Sequence, residues 1–236
     1  MPYVQTFPPR RWHDLPSGGR AALTLPAQPG PVVVLLQEIF GLNEHIKLVG
    51  DRLARAGFLV ATPALFHRSA PDLKLGYDAA DIQIGRVHKG LCRPDQLLAD
   101  VAESAAVAAA HPLAAGPAWS VIGFCFGGLV ALLAGSALRP RTTIACYGAG
   151  ATLPWPDGSP PVLRGPAPRG RLIVVWGGED SSIPAEAREA LLDAWPQAEA
   201  IIEDSAGHGF LCDARAAYNP EASARVWPQL IAALKG

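Results

Sequence analysis

Short apolar runs rich in β-branched residues recur along this chain, at Pro31 to Leu36, Phe58 to Ala61, Trp119 to Ile122, Thr143 to Tyr147, Leu172 to Trp176 and Ala200 to Glu203. They read as buried strands. Between most of them lie stretches with helical spacing, at Asn43 to Ala56, Asp95 to Ala110, Gly127 to Ala137, Pro184 to Trp195 and Glu221 to Leu234, each long enough to cross over a sheet. Strand and helix in alternation predict an α/β fold with a mostly parallel central sheet and helices on both faces. A chain of 236 residues can bury one large shared core, so one domain spanning residues 1–236 is expected. In such a sheet the ligand crevice opens beyond the carboxyl ends of the strands. Four chemically capable side chains fall just there: Glu38, Cys125, Asp180 and His208.

Charge sets limits on partners. Only 17% of the residues are charged and the formal net charge is -1, so no field of either sign recruits nucleic acid or an anionic membrane. A small, weakly charged substrate is the natural expectation, with the protein a monomer or small homo-oligomer. The four cysteines, Cys92, Cys125, Cys146 and Cys212, lie far apart without a C-x-x-C pair. Their spacing suggests neither a disulfide framework nor a zinc site, and reduced thiols fit a cytoplasmic protein. The opening residues MPYVQTFPPRRW lack the uninterrupted apolar stretch of an export signal. Val121 to Leu138 is apolar enough to suggest a membrane span, but Gly123, Gly127, Gly128, Gly135 and Ser136 interrupt it, and strand, turn and helix explain it better. Two stretches read as loops, His67 to Arg93 and the proline- and glycine-dense Thr152 to Arg171.

Gly123-Phe124-Cys125-Phe126-Gly127 has the form G-x-C-x-G directly after a buried strand and before a helix, the context of a nucleophile elbow. Small residues two positions either side let strand and helix approach closely. A helix starting after Cys125 would aim its N–H groups and positive dipole end at the sulfur and favour thiolate. Alone, the motif reads equally well as a small buried cysteine in a glycine-rich core turn. The order of the other groups favours catalysis: nucleophile at 125, acid at 180, histidine at 208, the Ser…Asp…His succession of α/β-hydrolases with sulfur for oxygen. His208 sits in a glycine-flanked loop, Ala206-Gly207-His208-Gly209-Phe210, and is the best base among six histidines, with His67 and His88 as other pocket candidates. Asp180 would orient it, with Glu179 as rival. Glu38, in Gln37-Glu38-Ile39-Phe40-Gly41, lies in the strand-end loop that supplies an oxyanion-hole N–H; by itself it reads as a solvated glutamate.

These four motifs together resemble the dienelactone hydrolase (carboxymethylenebutenolidase) family over nearly the whole chain. The resemblance implies an α/β-hydrolase fold, a triad of Cys125, His208 and Asp180, and a cysteine-activating role for Glu38. It also implies an oxyanion held by the backbone N–H groups of Ile39 and Phe126, an acyl-thioester intermediate, and neither metal nor organic cofactor. The substrate would be a small lactone or ester.

Two positions depart from the pattern. Family members that act on dienelactone hold its carboxylate with arginines, one of them four residues after the histidine, where this chain has Cys212. An ungapped alignment places Gln83 at the second. Arg68, Arg86 or Arg215 would have to substitute, and Arg68 and Arg86 are the expected substrate contacts. A lost charge-assisted contact changes substrate preference without touching the chemistry. Two alternatives stay open: an acyltransferase with the same triad, and a non-catalytic binding or redox-sensing protein built around Cys125.

Overall fold

The computed structural model describes residues 7–236; the first six residues, on which part of the expectation about an export signal rests, lie outside them. Its centre is an eight-stranded sheet in the order β1-β2-β4-β3-β5-β6-β7-β8. The strands are β1 Arg10–Asp14, β2 Arg20–Thr24, β3 Gly30–Leu36, β4 Leu59–Pro63, β5 Ala114–Phe124, β6 Thr142–Cys146, β7 Arg171–Gly177 and β8 Glu199–Glu203. From β4 to β8 neighbouring strands pair in parallel, while β2 runs antiparallel to both β1 and β4. Six helices surround the sheet: α1 Glu44–Arg55, α2 Ala79–Gly90, α3 Pro94–Ala109, α4 Phe126–Leu138, α5 Ala185–Ala194 and α6 Pro220–Lys235.

The β-branched runs became the central strands for the expected reason. Val33, Val34, Leu35 and Leu36 of β3 and Val121 and Ile122 of β5 are fully buried, which suits residues whose stiff side chains pack on a pleated surface. Helices α1 and α6 have asparagine caps: Asn43 accepts from the Ile46 N–H at 3.3 Å and Asn219 from the Ala222 N–H at 3.0 Å. No helix among the described residues is long and apolar enough to cross a membrane.

The chain order creates a switch point. From β3 it passes through α1 to β4 on one side, then returns through α3 to β5 on the other side of β3. The carboxyl ends of β3 and β5 therefore diverge into different connections and leave a crevice between them. Glu38 follows β3 and Cys125 follows β5.

Three elements depart from the sequence reading. The stretch His67 to Arg93 contains α2, capped by the Asp78 carboxylate accepting from the Asp81 N–H at 2.8 Å. Gly85 and Gly90 hid this helix, because glycine is a poor helix former. Gly85 is required: a Cβ there would collide with the Ile39 carbonyl, so the helix lies directly on the loop after β3. Strands β1 and β2 were missed because β1 (RRWHD) is an exposed edge without apolar pattern and β2 (RAALT) is short.

Candidate active site

Cys125 caps α4 with φ 54 and ψ -114, a conformation that costs a non-glycine residue free energy and persists only where surrounding structure imposes it. What imposes it here is close packing. A Cβ at Gly123 would collide with the Gly127 carbonyl, and one at Gly127 with the carbonyls of Leu36 and Gln37, so the start of α4 is laid against the end of β3. The Cys125 N–H is anchored to the Cys146 carbonyl at 3.0 Å. The Phe126 N–H, at the first helical position, has no acceptor within the helix. Neither it nor the Ile39 N–H donates to another group among the described residues.

On the other flank, His208 Nδ1 lies 2.8 Å from Asp180 Oδ2. Asp180 is buried, and its second oxygen accepts the Ser182 N–H at 2.8 Å, whereas Glu179 is exposed. Burial works to lower the His208 pKa, but its hydrogen bond to Asp180 and its interaction with Cys125 outweigh that and push it up to about 10. The bond to Asp180 favours the imidazolium, while the Cys125 share of the push applies only when that sulfur is a thiolate. The ring edge of Tyr147 packs on it, with centroids 5.3 Å apart.

Glu38 is fully buried rather than solvated. One oxygen takes an ion pair from Arg215 Nη1 at 2.9 Å; the other has only the Tyr77 hydroxyl, at 3.5 Å. The same hydroxyl accepts from Asn43 Nδ2 at 3.0 Å and from the Cys212 thiol at 3.3 Å. Arg215 reaches in between the rings of Phe40 and Tyr77, 5.6 and 5.8 Å from their centroids. Gly209 leaves it room, since a Cβ there would meet the guanidinium. That glycine, beside His208 in the sequence, is the one local trace of an approach that otherwise comes from chain folding.

Of the two arginines expected at the substrate, Arg68 is engaged by another carboxylate, while Arg86 follows Gly85, which lies against the Ile39 carbonyl. Arg68 binds Asp100 with both terminal nitrogens, at 2.7 and 3.0 Å, and His67 joins the same carboxylate at 3.2 Å. Arg86 is exposed on α2, and His88 contacts Ser69 at 2.9 Å. The arginine that enters the site is Arg215. Tyr77 and Tyr147, which carry no motif, are the further neighbours sequence reading missed. The stretch Thr152 to Arg171 borders a separate cavity of about 750 Å³ lined by Trp155, Arg93, Arg139 and Arg169 and not by any triad residue.

Comparison with known proteins bears on the chain as a whole. The model of the dienelactone hydrolase family matches residues 20–236. The chain belongs to that family. It is 32% identical over 224 residues to a carboxymethylenebutenolidase from Pseudomonas sp. strain P51, covering 89% of this chain and 87% of that one. A Synechocystis protein given that name provisionally is 37% identical over 207 residues, covering 85% and 83%. A Klebsiella pneumoniae crystal structure, provisionally described as a dienelactone hydrolase, superposes with a TM-score of 0.84 at 25% identity, covering 96% of this chain and 98% of that one. This dienelactone hydrolase-family protein is thus a hydrolase of α/β-hydrolase fold.

Proposed function

We propose that the protein is a single-domain, cysteine-dependent hydrolase of small lactones or esters that works through an acyl-thioester on Cys125, with His208, Asp180 and Glu38 as its other catalytic groups. The observation that carries this is the placement of a strained elbow cysteine at one strand end and a buried His208–Asp180 pair at others.

Proton bookkeeping follows from the environments. We take His208 to enter the cycle as the imidazolium that its bond to Asp180 favours, so it does not take the thiol proton. Glu38 has an oxygen to spare and lies on the neighbouring strand end, so it is the acceptor once it swings from Arg215 towards Cys125. A substrate carboxylate that competes for Arg215 releases Glu38 as it binds. The thiolate attacks the carbonyl carbon, and the oxyanion is held by the Ile39 and Phe126 N–H groups. As the carbon–oxygen bond breaks, the imidazolium gives its proton to the leaving oxygen.

The thioester sulfur carries no charge, so the Cys125 contribution to His208 basicity disappears while burial still lowers it. The neutral imidazole, oriented by Asp180, then takes a proton from water as that water attacks the thioester. Collapse returns a thiolate, which recovers its proton from Glu38. The four free cysteines fit a reducing, cytoplasmic setting. The test is a panel of anionic and neutral lactones and simple esters with mass spectrometry of the intact protein. An acyl adduct on Cys125 that decays with product release is expected; steady turnover by Cys125→Ala would sink the reading.

A further inference from the structure

Beside Glu38 lie two further buried groups, His45 and Cys212, that the proposed reaction does not use. A ring nitrogen of His45, the Cys212 sulfur and a carboxylate oxygen of Glu38 lie within 4.8 Å of one another, and all three residues are buried. They come from α1, from the loop after His208 and from the end of β3, so no sequence spacing announces them. His45 Nε2 is buried without a hydrogen-bond partner, an arrangement that costs free energy unless the atom has another use. Its other nitrogen, Nδ1, faces Asp213 Oδ1 at 3.8 Å, longer than a hydrogen bond, so that a small approach on binding would give the carboxylate–histidine arrangement that orients metal-binding imidazoles.

We infer that Glu38, His45 and Cys212 form an inhibitory site for a divalent cation of zinc type, which pins Glu38 away from Cys125. This rests on the role proposed for Glu38. A thiolate, an imidazole and a carboxylate are the donors zinc takes, with a fourth position left for water or the Tyr77 hydroxyl. Tetrahedral zinc ligands lie about 3.5 Å apart, so the three side chains close by about 1 Å on binding. Charge balances: the thiolate formed when Cys212 loses its proton to solvent, together with Glu38 and Asp213, offsets the dication and Arg215. Glu38 can keep Arg215 on one oxygen while its freer oxygen binds the metal.

The experiment is calorimetric titration of the full chain with zinc chloride, alongside turnover measured against each variant's own metal-free rate. One zinc should bind both the wild type and Cys125→Ala. His45→Gln and Cys212→Ser should weaken binding by about 100-fold or more, and Asp213→Asn by about tenfold, the size of an outer-shell loss. Zinc should slow wild-type turnover at the concentration where it binds, and EDTA should restore it. Cobalt should give a sulfur-to-metal absorption band that Cys212→Ser lacks, which decides the matter even if His45→Gln does not fold. Absence of saturable binding overturns the site. So does binding lost in Cys125→Ala but kept in His45→Gln and Cys212→Ser, which would put the metal on the catalytic sulfur. Because binding is read without substrate, failure of the hydrolase reading leaves the calorimetric result intact.

Discussion

Asp100 and Glu38 are both fully buried carboxylates paired with an arginine, yet they are furnished in opposite ways. Asp100 receives two bonds from Arg68, one from the Ser17 hydroxyl at 2.9 Å and a contact from His67 at 3.2 Å. Both of its oxygens have close donors, Oδ1 three and Oδ2 one, which hold the group in place. Glu38 has a single close partner, and its second oxygen is left with a long contact to Tyr77. A saturated carboxylate ties loops together; an under-supplied one keeps capacity for a proton or a cation. The difference teaches where chemistry resides, even though both groups look alike by burial.

The comparison can be broken in several ways, beginning with the largest effect. Cys125→Ala should lower turnover by about 10⁴-fold or more while thermal unfolding stays where it was, since the nucleophile of a triad acts as part of a unit. Next, Glu38→Gln should slow acylation by about 10²–10⁴-fold in single-turnover measurements, the usual worth of a positioned acid or base. An unchanged rate would mean that the spare oxygen is incidental. Asp100→Asn should do the reverse, costing about 3–5 kcal/mol in denaturant unfolding with kcat nearly untouched, because it leaves Arg68 and His67 facing an incomplete partner. If its stability holds and its activity falls, the division between the two carboxylates fails.

The smallest effect concerns His208. Its folded-state pKa is raised from 6.5 to about 10, so the protonated form is favoured by folding. The stability this contributes is fully present below about pH 6.5 and is lost as pH rises through about 10. Denaturant midpoints measured across that range should fall in the wild type and be flatter in His208→Gln. In Cys125→Ala the NMR titration of His208 should move down, since one of its two supports has been removed.

How much of this was legible in the sequence depends on how local the cause is. The central strands were readable because β-branched runs bury themselves, and the elbow because two glycines must flank it. Asp180 was separated from Glu179 only by geometry, since adjacent acidic residues in a loop differ in direction rather than kind. Helix α2 was hidden by Gly85, the residue that lets it lie on the Ile39 carbonyl. Only folding shows that Arg215 passes over Gly209 to Glu38. The cluster of Glu38, His45 and Cys212 has donors from three separate elements, beyond the reach of any spacing rule.

The pairing of β3 with β5 sets Leu36 opposite Gly123. Glu38 and Cys125 each lie two residues beyond that rung, so the sheet acts as a ruler for the pair, with neighbouring strands about 4.8 Å apart and each residue advancing about 3.3 Å. A tilt or slip between these two strands would mis-set the proposed base and nucleophile together, even if every side chain in the crevice were unchanged. Substitutions deep in the sheet, at Val34 or Val121, are therefore a means of adjusting acylation rate from a distance, with the catalytic groups themselves left as they are.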